Sequence, residues 1–363
     1  VIYKKQGKDP NEKKMTKPEI TPIITNRDVT SPFLVEVQES AVKPIEPVFL
    51  DYQKDMSQLK AKSDIPVLYK QNVANDLFQL IYVFDMGNNH DKALGTAFDY
   101  LEYLGTSDMT PEELKSEFYR LACTFYVSPG NERTYVVLSG LNENMPAAVQ
   151  LFEKLLADAQ VNKEAYTNMT SDILKARSDA KLNQGQNFSR LMSFAMYGPK
   201  SPATNLLTEA ELTNMNPQEL VDRIHNQNSY KHRILYYGPS SSKDLLATIN
   251  QYHQVPAALK DIPAGNEYSY LETPVTKVLV APYDAKQIYM AQISNLDKKY
   301  DPAIEPIRAL YDEYFGGGMN SIVFQEMRET RGLAYSAWAS IMPPSYLKYP
   351  YVLRTQIATQ NDK

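Results

Sequence analysis

Residues 314–336, YFGGGMNSIVFQEMRETRGLAYS, decide the fold. Three consecutive glycines open the stretch, Gly316, Gly317 and Gly318. A phosphate-binding loop needs a lysine and a hydroxyl directly after its last glycine. Met319, Asn320 and Ser321 stand there instead, so the run reads as a tight turn with Asn320 or Ser321 capping the next helix. Ile322, Val323, Phe324 and Met327 form the apolar stripe of that helix. Gly332 should end it, because glycine takes a left-handed cap without a Cβ penalty. Residues 333–340 then read as a strand carrying Tyr335 and Trp338. Arg328, near the helix end, and Tyr335, on the strand, are placed to converge at the rim of a sheet. The plainer reading is that Arg328 pairs with Glu326 or Glu329 on the surface while Tyr335 is a core aromatic.

Outward from this stretch the elements alternate in a recognisable order. Residues 65–70 and 77–85 are rich in β-branched and aromatic side chains and read as neighbouring strands. A helix over 91–104, capped by Asn89 or His90, carries Ala93, Leu94, Ala97, Phe98, Leu101 and Leu104 on one face. Thr110-Pro111-Glu112-Glu113 is a capping box with proline at the first helical position. Strands over 124–127 and 134–138 follow, then helices over 144–156, 164–182, 187–196 and 217–226. A strand over 231–237 and a helix capped by Ser240 complete this part. From residue 277 the order begins again, with strands over 277–281 and 288–294, a helix over 301–314, the glycine turn, a helix and a strand. Residues 98–106 (FDYLEYLGT) answer 310–317 (LYDEYFGG), Gly105 against Gly316, an offset of 211. A repeat of that length implies two homologous domains.

Composition excludes several classes. The 363 residues suffice for two domains, and 43% are hydrophobic, enough for real cores. Net charge is −5 with no dense basic block, so nothing points to nucleic acid. No apolar run of about eighteen residues exists to span a membrane. The lone Cys123 excludes an internal disulfide and a four-thiolate zinc site; it lies in the apolar run LACTFYV and reads as a small buried hydrophobe. The four histidines, His90, His225, His232 and His253, show no metal spacing and read as surface residues.

The motif in residues 314–336 resembles the carboxy-terminal half of the pitrilysin/insulysin-type zinc metallopeptidases. In that family the phrase runs glycine-rich turn, F-Q-E-x-R-E, R-G-L-A-Y-S. Here Phe324, Gln325, Glu326, Arg328, Glu329, Arg331, Gly332, Leu333, Ala334, Tyr335 and Ser336 match it. The resemblance implies an α+β fold of insulysin-like repeats, each a mostly antiparallel sheet with helices packed on one face, the second truncated here. It divides the chain into residues 1–5 (end of a preceding repeat), 6–63 (an extended inter-half linker that packs through Phe33, Leu34, Val35, Val48 and Phe49), 64–255 (an inactive repeat) and 256–363 (the start of the next repeat). Both ends of the chain read as cut.

A zinc hydrolase needs imidazoles and a carboxylate on the metal and a further carboxylate as base. The family carries His-x-x-Glu-His a few residues before a Gly-Thr pair. Before Gly105-Thr106 the ligand positions hold Thr96 and Tyr100 and the base position holds Asp99. The resemblance therefore implies that zinc belongs to an amino-terminal half, that this part binds no metal, and that alone it is inactive. It implies catalytic roles for Arg328 and Tyr335, seven residues apart as in the family. It also implies substrate contacts by Gly316, Gly317, Gly318 and Arg331. The partners are a peptide or unfolded polypeptide and the amino-terminal half. Two rival readings are a scaffold or partner subunit of a zinc-less family member and a plain peptide-binding module.

Overall fold

The structure, a computed structural model, describes residues 29–285, 287–344 and 346–360. The expectation for residues 1–5, and the linker up to residue 28, lie outside the described residues. Two compact units divide the chain at Leu50. Of the first, residues 29–50 are described. Helix α1 (Pro32–Glu39) starts where the Ser31 side chain accepts from Leu34 N at 3.2 Å and Pro32 takes the first turn. Phe33, Leu34, Val35, Val48 and Phe49, expected to pack, are all exposed. The local signals of cap and proline produce a helix here where extended chain was expected.

The second unit begins with strand β1 (Ser57–Lys60), which already pairs with β2 (Pro66–Gln71), so the first sheet starts ahead of residue 64. In order follow β3 (Leu77–Phe84), α2 (Leu94–Leu101), α3 (Pro111–Arg120), β4 (Cys123–Pro129), β5 (Thr134–Leu141), α4 (Met145–Asp158), α5 (Lys163–Lys181), α6 (Gln184–Tyr197), α7 (Glu209–Asn214), α8 (Gln218–Asn226), β6 (Arg233–Gly238) and α9 (Ser242–Tyr252). The strand order is β1-β2-β6-β3-β5-β4, and only β2–β6 is parallel. The strands read as neighbours, β2 and β3, are separated by β6, which pairs Val67 with Ile234 and Leu80 with Tyr236. Local periodicity identifies a strand but carries no information on a partner so far along the chain.

Alternation explains the core. Phe78, Leu80, Tyr82 and Phe84 point to one face of β3 and are buried, as are Ile234 and Tyr236 of β6. Against that face lie Leu94, Ala97 and Leu101 of α2, Val149, Phe152 and Leu155 of α4, and Leu245 and Ile249 of α9. Cys123 is buried among them. Helix α3 begins at the capping box read in the sequence: Glu113 N donates to Thr110 Oγ1 at 3.2 Å and Thr110 N to Glu113 Oε2 at 2.8 Å. A second box, Thr208 with Glu211, starts the short α7, which sequence reading passed over. Helix α2 has no side-chain cap from Asn89 or His90; it starts later, at Leu94. Ser241, not Ser240, caps α9.

The repeat then returns. Strand β7 (Gln287–Lys299), helix α10 (Glu305–Asp312), a wide π-type turn over Glu313–Gly317, the short helix α11 (Ile322–Phe324) continued by a π-wound segment Gln325–Thr330, and strands β8 (Ala334–Met342) and β9 (Pro350–Gln360) follow. The sheet order β7-β9-β8, antiparallel throughout, repeats β3-β5-β4. Residues 277–281, expected as a strand, form none, and Val278 and Val280 are exposed. β-Branched composition favours a pleated surface only where a neighbouring strand offers its backbone.

Candidate functional site at the edge of the second sheet

The glycine turn is shaped by close approach. A Cβ on Gly316 would stand 2.2 Å from Ala339 O and 2.4 Å from Ala339 N on β8. Only a residue without a side chain lets the end of α10 lie on that strand. Asp312, at the end of α10, accepts from Ile341 N and Ser340 Oγ, both at 2.8 Å, and from Arg308 Nη1 at 2.6 Å. Arg308 also holds Glu305 at 3.0 Å. The Tyr351 hydroxyl donates to Glu305 at 2.6 Å, and this bond, with Arg308, holds the Glu305 carboxyl below its ordinary range. The turn is thus pinned on β8 by a polar network.

Beyond the turn, Ser321 caps α11 by accepting from Phe324 N at 3.3 Å, and Gln325 Nε2 reaches back to Met319 O at 2.6 Å. The helix is not the amphipathic one expected: Ile322 and Met327 are exposed, and the winding widens to π from Gln325. π-Type segments occur often at functional positions. Gly332 closes it at φ 55°, its N–H returning to Arg328 O at 3.1 Å, the left-handed cap read in the sequence.

Arg328 and Tyr335 meet. The guanidinium carbon of Arg328 lies 5.2 Å from the centroid of the Tyr335 ring and 4.7 Å from that of Phe324. A cation within about 6 Å of a ring face is held by the ring quadrupole. Tyr335 is 79% exposed, so it is no core aromatic. Arg328 also approaches Glu329 at 3.6 Å, a contact shared with solvent. Arg331 turns away to Glu326 at 3.3 Å, with both side chains exposed.

Sequence reading missed the device that aims Tyr335. Strand β8 pairs Ala334 with Thr359 and Ser336 with Ala358, leaving Tyr335 as an extra residue in a β-bulge. A bulge twists the strand and redirects a side chain, and no composition signal marks it. The outer edge of β8 carries no strand partner among the described residues.

On α2 the positions aligned with a metal motif do not fit zinc. Tyr100 is buried, its hydroxyl donating to Asn162 O at 2.6 Å and accepting from Asn162 N at 2.9 Å. Among the described residues no three His, Cys, Asp or Glu side chains are placed to hold a metal ion. No helix among them is long and apolar enough to cross a membrane.

The described residues thus form an α+β fold in which Thr96, Asp99 and Tyr100 of α2 offer no zinc-binding set. No family model matches the chain. It is similar to an uncharacterized zinc protease of Rickettsia felis, 20% identical over 263 residues, 69% of this chain and 60% of that protein. The peptidase M16 inactive domain from Pseudomonas fluorescens superposes with a TM-score of 0.65 at 17% identity, over 84% of this chain and 74% of that one. The periplasmic protease PqqL from Escherichia coli gives 0.70 at 13% identity, over 92% of this chain and 40% of that one. The chain has the fold of the inactive domains of pitrilysin-type (M16) peptidases, the family its sequence resembles. It spans about 60% of the length of the curated relative it matches.

Proposed function

We propose that the chain is the non-catalytic carboxy-terminal half of a zinc-dependent endopeptidase, closing a substrate chamber and contacting peptide through Arg328 and Tyr335. The zinc belongs to the amino-terminal half, whose ligands would hold it and so supply an acidified water for attack; α2 of this chain supplies no replacement for them. The observation that carries the reading is the bulge at Tyr335. It lifts an exposed phenol off an open strand edge and sets it beside a guanidinium. A phenol so placed can donate to a scissile carbonyl oxygen as it becomes an oxyanion. The guanidinium can hold a peptide carbonyl or carboxylate by its fork of N–H donors. The guanidinium lies over both the Phe324 and the Tyr335 rings. Gly316 is taken up by packing on β8, while the more exposed Gly317 and Gly318 shape the turn beside the site and leave it open to close approach by substrate. Arg331 is a second contact, weaker because Glu326 competes for it.

The test is peptide hydrolysis by the full-length protein, with and without a zinc chelator, beside an Arg328→Ala/Tyr335→Phe variant. Chelator-sensitive cleavage that falls by about 10²–10³ in the variant is expected, the typical effect of losing one oxyanion donor. Unchanged cleavage by the variant removes both residues from the mechanism. A full-length protein that holds no zinc and cleaves nothing is a scaffold instead.

A further inference from the structure

Two histidines lie in the core of the first repeat, against the expectation that all four sit on the surface: His253 is 0% and His232 7% exposed. His253 Nδ1 is 2.6 Å from Glu153 Oε1, the two Nε2 atoms are 2.8 Å apart, and His232 Nδ1 is 2.7 Å from Tyr230 O. Glu153, itself 1% exposed, also accepts from Asn228 Nδ2 at 2.9 Å and from Gln254 N at 3.0 Å.

These contacts can be counted in protons. A backbone carbonyl only accepts, so the hydrogen on His232 Nδ1 is fixed, and in a neutral ring Nε2 is then a bare acceptor. His253 Nε2 must donate to it. A hydrogen also lies between His253 Nδ1 and the Glu153 carboxylate. Three contacts require three hydrogens, and two neutral imidazoles carry two. The group holds one proton more, balanced by the carboxylate, so it is neutral as a whole, as burial demands. A metal does not fit between the rings: zinc–nitrogen bonds of about 2.0–2.1 Å in a tetrahedral site keep ligand nitrogens roughly 3.3 Å apart.

Strand β3 presents the Tyr82 ring, 4.4 Å from that of His253, and the apolar Phe84 ring, 4.6 Å from that of His232. Burial, and then Glu153, hold the Tyr82 phenol well above its ordinary range, so it stays neutral. The turn after α8 presents the buried amides of Gln227 and Asn228. A cavity of about 270 Å³, lined by Glu153, His225, Asn228 and Gln254 among others, lies against the carboxylate; its own imidazole, His225, is engaged with Ala159 O at 3.1 Å.

We propose that Glu153, His253 and His232 form a one-proton latch on the connection between the two repeats, released when a second proton binds at His232. His253 is the C-cap of α9 and Gln254 N is held by Glu153, so the latch fixes the point where the chain leaves the first repeat. The same exit is bound to the start of β6 by Lys260 N to Ser229 O at 2.8 Å and Lys231 N to Lys260 O at 2.9 Å. A second proton would set two Nε2–H donors against each other with no acceptor between them. Burial, and then the facing His253, lower the His232 pKa from 6.5 to about 4. A group lowered on folding contributes stability fully above its unfolded value, about 6.5, and loses it as pH falls toward about 4.

The test compares the chain with His232→Gln, whose amide oxygen can accept from His253 Nε2 at any pH. Between pH 7.5 and 5 the wild-type thermal midpoint should fall by about 5 °C more than that of the variant. Protection of the Gln254 and Lys260 amides, taken relative to each amide's intrinsic exchange at that pH, should fall as pH drops toward about 4 in the wild type alone. An equal response in both proteins overturns the proposal. Should the variant not fold, ring-nitrogen NMR of the wild type decides: one Nε2 of the pair protonated at neutral pH supports the latch, and two bare Nε2 atoms overturn it.

Discussion

Two glycines of one motif answer to different physics. At Gly316 the obstacle is the β8 backbone, which cannot swing aside as a side chain could. Gly316→Ala should destabilise the chain by about 1–3 kcal/mol, the usual range for overpacking. At Gly332 a Cβ meets nothing within 4 Å, and only the left-handed φ of 55° opposes it; Gly332→Ala should cost about 1–2 kcal/mol. Urea unfolding of both variants checks the distinction, because a clash against β8 should also loosen the Ile341 amide in hydrogen exchange while the cap change should not. Equal and local effects would remove Gly316 from its assigned packing role. That Arg328 and Tyr335 approach each other was legible from the helix and strand read around them. The bulge that aims Tyr335 was not, because it is a register shift between strands rather than a residue type.

Elements were legible where the signal was local. The Thr110 box stands where the sequence placed it, and of the two caps read there, Asn320 and Ser321, the second is used, since caps depend on residues three apart. Thr110→Ala should therefore lower stability by about 1 kcal/mol without altering the edge site, measurable as a shift of the urea midpoint at constant slope. A changed slope would mean that α3 organises more than its own first turn. The insertion of β6 between β2 and β3 was illegible for the opposite reason: it is a pairing across the whole repeat. The buried histidines escaped for a related reason. His232 stands just ahead of β6 and His253 just past α9, positions that read as element ends. Only the fold brings Glu153 of α4 against them.

At the scale of the molecule, the metal positions and the distribution of core decide what to expect. With Thr96, Asp99 and Tyr100 on α2, a chelator should leave the thermal midpoint of this chain unchanged; a fall of several degrees would reveal a structural metal and contradict the donor set described. The two repeats differ in how much they bury. Among the described residues the largest fully buried side chains lie in the first repeat, Tyr82, Tyr100, Phe84 and Phe152 among them, whereas the second buries mainly Ala334, Ala337, Ala339, Tyr351 and Val352. Its sheet is joined to the first repeat by smaller contacts, such as Phe188 on Tyr289 with ring centroids 5.6 Å apart and Gln184 Nε2 on Gln287 O at 2.6 Å. Local opening follows buried apolar contact. Amides of β7, β8 and β9 should therefore exchange through openings of lower free energy than those of β3, β5 and β6. Uniform protection across both sheets would show that the repeats unfold as one cooperative unit. A weaker second sheet would place Arg328 and Tyr335 on an element able to shift against the first repeat, which is where the proposed substrate edge could adapt to different peptides.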